Sequence, residues 1–112
     1  MKIDPDVQAV CDRFTVAPNF AALVQSIVIA EGGRQAIIKA VQISEPHVIT
    51  FQDAVSVVCR SAVHRMTDYI KGSSGEAFVT YFGSFWAPID AENDPTHLNE
   101  NWAPNVAKGW GV

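Results

Sequence analysis

The sequence predicts an all-α domain with at most a minimal strand pair, and three observations carry that prediction. Apolar residues recur three and four apart in almost every segment, the spacing that gathers them on one helical face. Strand-like alternation is weak throughout, with Val48 to Phe51 the one stretch able to pair briefly. Clusters of Pro, Gly, Asn and Asp cut the chain into helix-length pieces. The 112 residues, 48% hydrophobic and 18% charged, can bury one core against chain entropy but not two, so residues 1–112 are read as a single domain.

Asp4-Pro5 offers an N-cap and a first-turn proline, after which Val7, Val10, Cys11 and Phe14 fall at helical spacing and predict a helix ending near Thr15. Pro18-Asn19 punctuates the chain. Asn19 is a candidate cap for a second helix with the stripe Phe20, Leu23, Val24, Ile27 and Val28, stopped by Gly32-Gly33. Glu31 is thereby left at the C-terminal end of a buried helix. Arg34 to Gln42 reads as a short helix with Ile37, Ile38 and Val41 inward, and Glu45-Pro46 breaks the pattern because the residue before proline avoids helical geometry.

Thr50 with Asp53 three residues on resembles a capping box, opening the longest helix. Its stripe runs Phe51, Ala54, Val55, Val58, Cys59, Ala62, Val63 and Met66, and it ends near Lys71. The segment KGSSGE supplies the stop, and Ser74 is the expected cap of a helix carrying Phe78, Val79, Phe82 and Phe85. WAPIDAENDPTHLN reads as an ordered loop. Asn101 is then positioned to cap a last short helix in which Pro104 falls within the first turn, where no donor is lost.

The formal net charge of -4 and the lack of any basic run argue against a nucleic-acid-binding role, which draws on clustered Lys and Arg. Cys11 and Cys59 are the only cysteines, set among apolar residues rather than in a metal or redox spacing. They read as buried free thiols, which fits a reducing compartment. No metal or other cofactor is expected. The N-terminus MKIDPDVQAV lacks the apolar core of a signal peptide, and the most apolar run, Ala21 to Ala30, is interrupted by Gln25 and Ser26. The expectation is synthesis in the cytoplasm without membrane insertion.

Glu31 is the candidate acid for glycosidic chemistry, in which a carboxylic acid must keep its proton until it meets the leaving oxygen. An apolar helix and the partial negative charge of a helix C-terminus both disfavour its ionised form, and the following glycines let a sugar chain approach the backbone. Trp86, Trp102, Trp110, Tyr69 and Tyr81 offer faces for sugar rings, Trp86 and Trp102 foremost because they flank polar loops. Asn93, Asn99 and Asn101 are candidates for N-acetyl groups. His64 and Asp68, four apart, read as a surface ion pair.

The order of IVIAEGG, a helix, FQDAVSVVCRSAVHRMTDYI, a helix ending in FWAP, and then AENDP with NW and NV resembles the compact lysozyme-like domains of bacteriophages and prophages, from about Phe20 to the end. The resemblance implies cleavage of the glycan strand of bacterial peptidoglycan, between N-acetylmuramic acid and N-acetylglucosamine. Carried over by position, Glu31 matches the acid, and Trp86, Ala87, Pro88, Glu92, Asn93 and Asp94 match the loop beside the sugar groove; with Asn101, Trp102 and Tyr81 these form the expected substrate-binding set. Glu45, Asp90, Glu92 and Asp94 are candidates for a second carboxylate. Where relatives place an Asn-Pro-Gly-Asn segment after the acid, this chain has QAIIKAVQISEPHV. The alternative that follows is a non-catalytic structural or glycan-binding component of a phage particle, with phage structural proteins as partners. The resemblance further implies release to the wall by a holin or carriage in the virion.

Overall fold

The computed structural model describes residues 2–14, 19–72, 78–87 and 98–110, with side chains at 67–72 and 98 excepted. Among the described residues there are six helices: α1 (Pro5–Cys11), α2 (Phe20–Glu31), α3 (Arg34–Gln42), α4 (Phe51–Gly72), α5 (Phe78–Trp86) and α6 (Trp102–Trp110), the last preceded by a 3-10 turn at Leu98–Asn101. No strand occurs among the described residues. The brief pairing expected at Val48 to Phe51 is replaced by a turn, in which the Val48 N–H donates to Glu45 O at 3.0 Å and Val48 O accepts from Gln42 Nε2 at 2.6 Å. Val48 is buried by this turn rather than by a sheet.

α2 is the central helix, packed on α1, α3 and α4 and most extensively on α6. Every residue from Leu23 to Val28 is buried, so α2 carries a belt rather than the single stripe expected. The two polar residues in that belt are satisfied: Gln25 Oε1 accepts from the Asp4 N–H at 2.9 Å, and Ser26 Oγ donates to Ala22 O at 2.9 Å. Both contacts answer the cost of burying an unpaired polar group.

The helix ends follow local chemistry. Asp4 caps α1, its carboxylate accepting from the Asp6 N–H at 2.9 Å. α1 stops at Cys11, short of Thr15, because Arg13 and Phe14 donate to Val10 O and Cys11 O in a tightened turn. Asn19 departs from its expected role. It lies in the left-handed region at φ 69° and makes no side-chain cap; its carbonyl instead accepts from Leu23 N and from Trp110 Nε1, both at 3.1 Å. Thr50 Oγ1 caps α4 by accepting from the Asp53 N–H at 3.1 Å.

α2 closes in a Schellman turn: Gly32 N–H donates to Ile29 O and Gly33 N–H to Val28 O, both at 3.0 Å. Gly32, at φ 108°, occupies the left-handed position that costs other residues a Cβ clash. This turn ends the helix abruptly and leaves Glu31 as its last residue. Asp4 and Asp6 then clasp Arg34 at the start of α3, and Arg34 also stands 4.2 Å over the Phe51 ring of α4.

Candidate functional site

Glu31 projects from the end of α2 toward α5 and α6. Trp86, the last residue of α5, donates its indole N–H to Glu31 Oε1 at 2.7 Å, and Trp102, the first residue of α6, donates to the same oxygen at 3.1 Å. The three residues are separated by 55 and 71 positions in sequence. Oε1 is thus fixed as an acceptor, and in the acid form the proton belongs on Oε2.

The indoles are themselves held by an aromatic array. Phe82, fully enclosed on α5, lies 5.7 Å from both the Trp86 ring and the Trp102 ring and 5.9 Å from Phe78. Gly83 permits the close approach of α6, because a Cβ there would stand 3.1 Å from Trp102 Cε3. Trp102 is buried and Trp86 half-buried, so the carboxyl is framed by apolar rings that exclude part of its water.

Glu31, Trp86 and Trp102 lie on the wall of a cavity of about 680 Å³, within the range of about 300–1,000 Å³ usual for small-molecule sites. Ser44 and Glu45 bound it after α3, Ser61 and Arg65 on α4, Asn99 in the 3-10 turn and Asn105 on α6. Apolar and aromatic lining with a few amide, hydroxyl and charged groups is the usual composition of a small-molecule site. A carboxyl on the wall of such a cavity, with one oxygen held by two N–H donors, is a group able to exchange a proton at its other oxygen.

Of the expected site residues, Glu31, Trp86 and Trp102 meet at this cavity. Ala87 and Glu45 join them. Tyr81 does not line the cavity but packs edge-on against Phe85, ring centroids 5.2 Å apart. Asn99, also an expected N-acetyl candidate, lines the cavity, whereas Asn101 is exposed at the end of the 3-10 turn and Asn105 lines the cavity from α6. Trp110 is spent on Asn19. Ser74, Pro88, Asp90, Glu92, Asn93 and Asp94 lie outside the described residues, as do the side chains of Asp68 and Tyr69. Arg65, Phe85, Ser61 and Asn105 are additions from the structure. The spacing of Ser61 and Arg65 by four on the face of α4 away from its fully buried stripe is the signal that hints at them.

Cys11 and Cys59 are both buried, with sulfurs 3.7 Å apart. The hydrogen bond with Cys11 and burial together push the Cys59 thiol up, so it stays protonated. Among the described residues, no group of three His, Cys, Asp or Glu could hold a metal, and no helix is long and apolar enough to cross a membrane. No family model, curated protein sequence or solved structure matches this chain.

Proposed function

We propose that this protein cleaves the glycan strand of bacterial peptidoglycan between N-acetylmuramic acid and N-acetylglucosamine, with Glu31 as general acid. The observation that carries the reading is the convergence of the Trp86 and Trp102 indole N–H groups on Glu31 Oε1 at the cavity wall. Fixing one oxygen orients the other, and orientation of an acid toward its leaving oxygen is a large part of what such catalysis needs. The motif order, which resembles that of phage lysozyme-like domains, supports the same choice of substrate.

In this reading Glu31 Oε2 gives its proton to the glycosidic oxygen as the bond from that oxygen to the anomeric carbon breaks, the bonding pair leaving with oxygen. The positive charge developing on the sugar ring is then quenched in one of two ways. Glu45, on the same cavity, can take a proton from an attacking water. Alternatively the sugar's own hydroxyl attacks the anomeric carbon, giving its proton to the Glu31 carboxylate left by the first step, and an anhydro end results. Release by a holin or carriage in a virion would bring the protein to the wall.

The test is release of soluble fragments from purified peptidoglycan by the wild type and by Glu31→Gln. Activity in the wild type and its loss in a folded Glu31→Gln protein support the reading, and reducing or anhydro product ends name the reaction. Failure of the wild type, where lysozyme succeeds, rejects it. A non-catalytic glycan-binding component of a phage particle is the second reading, favoured by QAIIKAVQISEPHV standing where the lysozyme-like domains that the sequence resembles carry an Asn-Pro-Gly-Asn segment; it predicts binding without fragment release.

A further inference from the structure

Cys11 and Cys59 are 48 positions apart in sequence, yet their sulfurs meet at 3.7 Å, one at the end of α1 and the other within α4. A disulfide sets its sulfurs about 2.05 Å apart, so a shift of about 0.8 Å by each closes the bond. The sequence spacing alone gave no reason to pair them; the packing of α1 on α4 does.

The two thiols differ in access. Cys59 is fully enclosed, whereas Cys11 keeps 4% of its surface and lies on the wall of a cavity of about 370 Å³, beside Ile3, Gln8, Asp12 and Phe20 among the described residues. Gln8 and Asp12 are exposed and joined to each other by a bond of 2.7 Å from Nε2 to Oδ1. Reactivity of a sulfur follows its thiolate character and its access. The hydrogen bond from Cys59 holds the Cys11 thiol below its usual value, against burial and the Asp12 carboxylate, which push it up. So narrow an opening admits a small oxidant and resists a bulky disulfide, whose exchange needs direct approach to the sulfur.

We propose that Cys11 and Cys59 form a redox modification site, in which a small hydroperoxide oxidises Cys11 and Cys59 resolves the product as a disulfide joining α1 to α4. The Cys11 thiolate attacks one peroxide oxygen, the O–O bond breaks, and the departing oxygen leaves with the bonding pair and takes up the proton that Cys11 gave up. Cys11 is then a sulfenic acid. The Cys59 sulfur attacks the Cys11 sulfur, the S–O bond breaks, and hydroxide leaves with the Cys59 proton as water. Two electrons pass from the sulfur pair to the peroxide. The closed loop carries α2, α3 and Glu31, and constraining the unfolded chain over that length favours folding by about a hundredfold or more. The device is independent of the chemistry at Glu31.

The experiment treats the intact reduced chain with hydrogen peroxide under native conditions, then unfolds it in iodoacetamide and reads whole-chain and peptide masses, with oxidised glutathione as a parallel oxidant. The expected product has lost two hydrogens, takes up no iodoacetamide, yields a linked Cys11–Cys59 peptide that dithiothreitol separates, and unfolds at a higher urea concentration than the reduced form. Oxidised glutathione should link the pair at least about tenfold more slowly, because access limits it. Cys59→Ser should gain oxygen at Cys11, and folded Cys11→Ser should leave Cys59 unoxidised. A wild type whose thiols both remain open to iodoacetamide after peroxide has consumed free cysteine overturns the inference, as does one that gains oxygen without linkage or links only between molecules. None of these wild-type results needs a variant to fold. Linkage by oxidised glutathione as fast as by peroxide, or equally fast oxidation of Cys59 in folded Cys11→Ser, overturns the assignment of Cys11 as the thiol that meets a small oxidant.

Discussion

Replacing Gly83 by alanine tests the packing that brings Trp102 to Glu31. The new methyl would stand 3.1 Å from Trp102 Cε3 and 3.2 Å from Cζ3, inside the contact distance of about 3.5 Å at which carbon atoms attract. On helix preference alone the change would stabilise α5 by about 0.5–1 kcal/mol. Overpacking opposes it with a cost of about 1–3 kcal/mol, and the steric term wins here because Trp102 has nowhere to go. The ring is 6% exposed, its far edge is fixed by the Nε1 bond to Glu31 at 3.1 Å, and Phe82 lies 5.7 Å away. The expected net effect is destabilisation by about 1 kcal/mol, read from urea unfolding, with a displaced Trp102 indole N–H resonance in the NMR spectrum. A variant that gains stability with all three indole resonances unmoved would refute the packing of α5 against Trp102.

Two further outcomes follow from groups outside the cavity. Asp4 has its carboxyl held below the usual range, chiefly by the Asp6 backbone N–H and, against some desolvation, by Arg34. A depressed folded value means the unfolded chain binds more protons, so this contribution is whole above the ordinary Asp value of 3.8 and is lost as pH falls through the lower folded value. Asp4→Asn keeps a capping side chain and loses the charge; it should cost about 0.5 kcal/mol near neutrality, the scale of a part-exposed pair, and flatten the acid limb of stability. Urea midpoints across the acid range check this, and an unchanged limb contradicts it. Cys59, fully buried with its thiol pushed up, should resist iodoacetamide in the folded protein and react only on unfolding; rapid native labelling at Cys59 would contradict the packing of α1 on α4.

The fold was legible where a local signal and tertiary packing agreed. α2 and α3 begin and end where Asn19, Gly32-Gly33 and the apolar spacing indicate, because a glycine pair ends a helix whatever it packs against. Differences arise where one burial demand can be met by more than one backbone. Phe14 reaches the core from a turn rather than from a fifteenth-residue helix end, and Val48 does so without a strand. Gln25 and Ser26 look like interruptions of an apolar face, yet each is buried with its own partner.

At the site, Glu31 was visible as a carboxyl at an apolar helix end. Its meeting with Trp86 and Trp102 was not, since contacts across 55 and 71 residues depend on how α5 and α6 cross α2. The aromatic reading singled out Trp86 and Trp102 for their ring faces without saying that their N–H groups converge on one carboxyl oxygen. Arg65 was hidden for a different reason: a cation on a polar helix face looks solvated until Phe85 is found beneath it.

The most direct test of a glycan strand seated against Glu31 is the NMR spectrum of the three tryptophan indole N–H groups during titration with soluble peptidoglycan fragments. Trp86 and Trp102 border the cavity, whereas Trp110 donates to Asn19 O elsewhere and serves as an internal control. The expected result is saturable movement of the Trp86 and Trp102 resonances with Trp110 unmoved. Movement of Trp110 alone, or of none of the three at saturating fragment, would contradict a sugar groove at Glu31.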